Sequence, residues 1–88
     1  MTAERYSITV SRSAERDLDK LDRTVLSRVA AAIDALTLDP RPPGCRKLIN
    51  RAGTWRVRVG DWRVLYEVDD AARLVRIVAV RHRSRADE

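Results

Sequence analysis

The chain has 88 residues, with 18 Lys and Arg against 13 Asp and Glu, a formal net charge of +5. A chain this short forms one domain, 1–88, and buries only about 60–65% of its unfolded surface, so its stability is modest and a partner has something to add. No apolar run approaches the roughly 20 residues of a membrane span, no secretory leader pattern opens the chain, and the single cysteine, Cys45, makes no internal disulfide, which together lead us to expect a cytoplasmic protein that does not bind membranes.

Tyr6, Ile8 and Val10 alternate with Ser7 and Thr9, the pattern of a short strand. Ser11 then reads as the N-cap of a helix, its hydroxyl placed to accept from the free amides of the first turn. Ala14, Leu18 and Leu21 recur at helical spacing. Asp22 caps a second, longer helix with an apolar stripe of Val25, Val29, Ala32, Ile33 and Leu36. Its predicted end is Asp39–Pro40, because a residue before proline is pushed out of helical space. The two stripes read as the core faces of an antiparallel helix pair.

Arg41, Pro42, Pro43 and Gly44 form a rigid connector leading into Cys45, Arg46, Lys47 and Leu48, with a short strand predicted to begin at 47–49. Cys45 reads as a small packing residue: Arg46 and Lys47 stand beside it, but no histidine lies near in sequence to activate it. Residues 50–53 turn the chain into TWRVRVGDWRVLYEVDD (Thr54–Asp70), two alternating runs around Gly60 and Asp61, a two-residue hairpin signal. That turn pairs Val59 with Trp62, Arg58 with Arg63, Val57 with Val64, Arg56 with Leu65 and Trp55 with Tyr66. Alternation then puts Trp55, Val57, Val59, Trp62, Val64, Tyr66 and Val68 on one face, which is the core.

After a turn at 69–72, Leu74–Val80 is apolar on both faces apart from Arg76, as suits a central strand. The fold class is therefore α+β: an N-terminal strand, then an antiparallel helix pair packed on one face of a mostly antiparallel four-stranded sheet. The opposite sheet face, predicted to be uncovered, carries Arg56, Arg58, Arg63, Leu65 and Glu67. Residues 1–39 hold six Lys/Arg against seven Asp/Glu, whereas residues 40–88 hold twelve against six, so the basic half is the half with the hairpin.

Three arginines on a small face, offset only by Glu67, favour a polyanionic ligand. The sequence offers no metal-ligand set around His82 or Cys45 and no glycine-rich phosphate loop, so neither metal nor cofactor is expected. Arginine-driven phosphate chemistry remains. Cleavage of RNA by its own 2′-hydroxyl needs the phosphate held in line and its extra charge offset, which arginines do well. It also needs protons moved, which a guanidinium does poorly. That step falls to Glu67, to His82, to water or to groups of a partner.

DPRPPGCRKL (Asp39–Leu48), WRVRVGDWRVLYEVDD (Trp55–Asp70) and VRHR (Val80–Arg83) together resemble the RelE toxins of bacterial type II toxin–antitoxin systems, within the RelE/ParE superfamily. The resemblance implies a ribosome-dependent, metal-independent endoribonuclease that cuts mRNA in the ribosomal A site. By position it implies Arg56, Arg58, Arg63 and Arg83 as the catalytic set; alternation places the first three on one face and does not fix the face of Arg83. Arg46, Lys47, Arg81 and Arg85 complete the basic residues expected to contact RNA, Arg81 or Arg85 by stacking on a base.

Many RelE toxins carry a tyrosine a few residues after the terminal arginine; here Ala86, Asp87 and Glu88 occupy that stretch. The resemblance further implies a RelB-like cognate antitoxin that neutralises the basic face, with operator DNA reached only through that antitoxin. Two other functions fit the same residues: a ParE-like inhibitor of DNA gyrase, and an RNA-binding relative with little or no cleavage activity.

Overall fold

A computed structural model describes residues 5–85. In chain order it comprises β1 (Ser7–Val10), α1 (Arg12–Asp19), α2 (Arg23–Ala35), β2 (Arg46–Lys47), β3 (Thr54–Val59), β4 (Trp62–Asp69), β5 (Leu74–His82) and a closing 3-10 turn at Arg83–Arg85. The strands form one sheet in the order β1-β5-β4-β3-β2. The sheet has five strands rather than four and is mixed, because β1 lies parallel to β5 while every other pair is antiparallel. The helices carry the chain from β1 to the far edge, and three antiparallel steps, β2 to β3 to β4 to β5, bring β5 back beside it.

Both predicted caps form. The Ser11 hydroxyl accepts from the Ala14 amide at 3.0 Å and the Asp22 carboxylate from the Val25 amide at 2.9 Å, each filling one orphan donor of a first turn. The second helix stops at Ala35, short of the predicted Asp39. There the Leu36 and Thr37 amides switch to carbonyls three residues back, and the Thr37 hydroxyl donates to the Asp34 carbonyl at 2.7 Å. Leu36 is nevertheless fully buried.

The core joins Ala14 of α1, Val29, Ile33 and Leu36 of the α2 segment, and Val64, Tyr66, Val75, Ile77 and Val80 of the sheet. Trp55, Val57, Val59, Trp62 and Val68 pack against it, so the apolar hairpin face is the core face as alternation requires. Tyr66 is fully buried and its hydroxyl donates to the Pro40 carbonyl at 2.7 Å. Burial, followed by the nearby Cys45, pushes its phenol pKa well above the usual value of 10.0.

A register shift at Leu65/Tyr66 pairs Leu65 with Ala79 and Tyr66 with Ile77, leaving Val78 as an extra residue in β5. This bulge lets odd-numbered Val75 and Ile77 and even-numbered Val80 all face the core, which is why the run reads as apolar on both parities. The groups it releases are met by α1: Ser11 Oγ donates to the Val78 carbonyl at 3.2 Å, and Asp17 accepts from the Val80 amide at 2.9 Å.

At the other end of the sheet, Asp70 accepts from Tyr6 Oη at 2.6 Å and from both terminal nitrogens of Arg41 at 3.1 and 2.9 Å. Arg41 in turn stacks over Trp55, 5.2 Å from the ring centroid. The Arg41 bonds first, and the Tyr6 bond second, lower the Asp70 pKa from 3.8 to about 2. A depressed carboxylate stabilises the fold above its unfolded pKa and loses that contribution as pH falls through the folded one. The stability gap between wild type and Asp70→Asn should therefore be full at neutral pH and close between 3.8 and about 2, as urea denaturation at a series of pH values will read.

The face opposite the helices is not uncovered along its whole length. Leu65, Arg56, Thr54 and Ala79 are buried there. They lie in the middle of a five-stranded sheet, with the Pro43–Gly44 turn beside Arg56 and longer side chains flanking them along the strands.

Candidate functional site

Gly60 adopts φ +59° and Asp61 does not share the positive angle, the signature of a II′ hairpin turn with glycine in its first central position. All five predicted pairs form, and Arg58 stands directly opposite Arg63. Arg63 folds back on the turn, donating to the Gly60 carbonyl at 3.1 Å and to the Trp62 carbonyl at 2.9 Å. The end of β5 closes against the same turn, with the Arg83 amide donating to the Asp61 carbonyl at 2.7 Å and Arg83 Nε lying 3.8 Å from the Asp61 carboxylate.

These contacts bring Arg63 and Arg83 to one turn beside the Asp61 carboxylate, within electrostatic reach of Arg58 and Arg56. Partial burial first, then the charges of Arg58, Arg56 and Arg83, lower the pKa of Arg63 below the usual arginine value, with Asp61 pulling the other way. The group stays cationic at neutral pH. What these neighbours impose is a mutual repulsion that an anion would relieve.

The four differ in depth. Arg58 and Arg83 are exposed and Arg63 is half-buried, whereas Arg56 is only 4% exposed and its Nε has no hydrogen-bond partner. Arg81 stands opposite Arg63 in the β4–β5 register, and Arg46 opposite Arg56. Lys47 points the other way, its ammonium 6.0 Å from the Trp55 ring. Arg85 belongs to a separate cleft, with Asp17, Lys20, Leu21 and His82.

Neither candidate for proton transfer is hydrogen-bonded to Arg56, Arg58, Arg63 or Arg83. Glu67 is paired with Arg76 at 3.0 Å and sits four residues along β4 from Arg63, roughly 13 Å at strand rise. His82 sits across the β4–β5 register from Trp62, edge-on to its ring at a centroid distance of 5.2 Å. Its Nδ1 lies 2.9 Å from the Ser84 hydroxyl and accepts from the Ser84 amide. Ala86, Asp87 and Glu88 lie outside the described residues. Among the described residues, no group of three His, Cys, Asp or Glu gathers to hold a metal ion, and no helix is long and apolar enough to cross a membrane.

Sequence reasoning missed Arg28. Its guanidinium reaches from α2 to the hairpin tip, where a side chain at Gly60 would meet Arg28 nitrogens at 3.0 and 3.3 Å. Nothing in the spacing of a surface helix position ties it to a turn more than thirty residues away; only the packing of α2 over β3 and β4 does.

A profile for the ParE toxin of the type II toxin–antitoxin system parDE matches residues 8–87. Toxin RelG of Mycobacterium tuberculosis is 35% identical over 80 residues, covering 90% of this chain and 92% of that protein. The toxin–antitoxin complex RelBE2 of the same organism contains a chain 32% identical, with a TM-score of 0.78 and coverage of 89% of this chain and 98% of that one. The archaeal RelE–RelB complex of Pyrococcus horikoshii contains one 26% identical, with a TM-score of 0.79 and coverage of 92% and 98%.

Proposed function

The chain belongs to the RelE/ParE family of type II toxins, and from that premise we propose that it is a ribosome-dependent endoribonuclease that cuts mRNA in the A site and so stops translation. The observation that carries this reading is the convergence of Arg58, Arg63 and Arg83 on the hairpin tip with Arg56 behind them. A ParE-like gyrase inhibitor has no comparable need for so many guanidiniums on one face of the hairpin.

The bond that forms joins the 2′-oxygen to phosphorus, and the bond that breaks is that to the 5′-oxygen of the next nucleotide. The arginines hold the phosphate in line and offset the charge that grows on its equatorial oxygens. Glu67 is held by Arg76 and the His82 Nδ1 by Ser84. The proton leaving the 2′-hydroxyl and the proton reaching the 5′-oxygen then pass through His82 Nε2, through water or through groups of the ribosome.

The partner that silences the toxin is a RelB-like antitoxin, as in the complexes of the relatives, and operator DNA is contacted through that partner. Primer extension on mRNA after inducing the chain alone tests the activity. Cuts within codons that vanish when translation is blocked are expected. Intact mRNA with halted growth and inhibited supercoiling would replace this reading with gyrase inhibition.

A further inference from the structure

Arg56 is the charged side chain that is buried among the described residues, 4% exposed on the sheet face opposite the core, and its Nε is sealed from solvent without an acceptor. Neither of the carboxylates on its sheet half serves it, since Glu67 pairs with Arg76 and Asp61 lies with Arg83. A cation in that position is held against its solvation preference, and an anion is what it lacks. The space for one is present. A cleft of about 260 Å³ opens beside it, lined by Pro43, Gly44, Arg46, Arg56, Val57 and Arg58. A side chain built at Gly44 would meet nothing within 4 Å, so the approach over that turn is open.

We propose that this cleft is a second anion site, distinct from the hairpin tip, which takes the phosphate diester one nucleotide away from the bond that is cut. The proposal rests on the endoribonuclease reading for the source of the phosphate and on the cleft alone for its chemistry. Arg56 is opposite Leu65, two residues along β4 from Arg63, a diagonal of about 7–8 Å between neighbouring strands and comparable to one nucleotide step. Arg46 and Arg58 at the rim add two more donors. Three guanidiniums with no carboxylate among the lining residues suit an anion with several acceptor oxygens over a single carboxylate. With phosphates fixed at both places, the backbone between them is held and the 2′-oxygen is aligned.

The test is the side-chain Nε–Hε resonance of Arg56, followed by NMR in the full-length chain as inorganic phosphate is added at constant ionic strength. A saturable shift is expected, weakened about tenfold by Arg46→Gln, a change at an exposed position that spares the core, in keeping with loss of one charge-assisted hydrogen bond. Arg63→Gln should leave that shift in place, because it empties the other site. Absence of any shift overturns the proposal, and so does an equal response to chloride. An equal response to acetate overturns the phosphate assignment and gives the cleft to a carboxylate of the antitoxin. A saturable shift in a protein that leaves mRNA intact upholds the anion site and removes the nuclease reading; cleavage without the shift removes the site alone.

Discussion

Arg63→Ala is expected to abolish growth inhibition and to lower mRNA cleavage by at least about 100-fold, the scale seen when one preorganised donor to a developing oxyanion is removed. The size follows from position. Arg63 is the residue on which Arg58, Arg56 and Arg83 all act, and its planar fork is held over the turn by the Gly60 and Trp62 carbonyls. The carbonyl bonds aim the guanidinium without neutralising it, so its charge remains available to a phosphate. Arg63→Lys should recover only part of the rate, since a single ammonium supplies the charge but not the two parallel donors. The fold should be little affected: the side chain is half-buried, its partners are turn carbonyls that water can reach, and substitutions of this kind stay within about 0.5 kcal/mol. Growth curves, primer extension and a thermal melt on the same variants read all three quantities. Full toxicity from a folded Arg63→Ala would remove the hairpin tip as the site.

The hairpin was legible because its information is local. A glycine at the one position needing a positive φ, flanked by strict alternation, sets the turn, the register and both faces, and Arg58 and Arg63 fall opposite each other without any tertiary input. Ser11 and Asp22 were legible for the same reason, each capping a helix three residues away. What alternation cannot see is an added residue in a strand: the bulge at Val78 changes which parity faces the core. Nor can it see depth. Arg56 and Arg58 look equivalent in the sequence, two cations on one face, but only Arg56 has a β2 residue, Arg46, paired across from it. Alternation gives Arg83 no face because β5 ends at His82 and the following turn, not a strand, aims it at Asp61. Glu67 looked like the counter-charge to the arginines until β5 brought Arg76 across from it.

The difference in depth between Arg56 and Arg58 has a measurable sign. Arg56→Met should make the free toxin more stable while lowering its cleavage of mRNA. Methionine keeps most of the apolar stem that packs in the sheet and removes a charge whose Nε is buried without an acceptor. Replacing buried ionic groups by apolar ones of similar volume is neutral or stabilising by about 1–4 kcal/mol. For a domain of this size each kcal/mol moves the melting temperature by roughly 4–8 °C, so an upward shift of several degrees is expected. Arg58→Met, at an exposed position, should leave the melting temperature within a few degrees and serves as the control. The comparison belongs in the absence of phosphate, because an anion bound to the native state stabilises it by mass action and would narrow the gap. Adding phosphate should raise the melting temperature of wild type by more than that of Arg56→Met, which keeps only the hairpin-tip site. A large loss of stability in Arg56→Met would mean that the guanidinium is already compensated in the free fold, and the anion-seeking character of the cleft would go with it. If stability rises while cleavage falls, Arg56 is a residue that the fold tolerates at a cost and the ligand requires, which locates the function at the least comfortable point of the sheet.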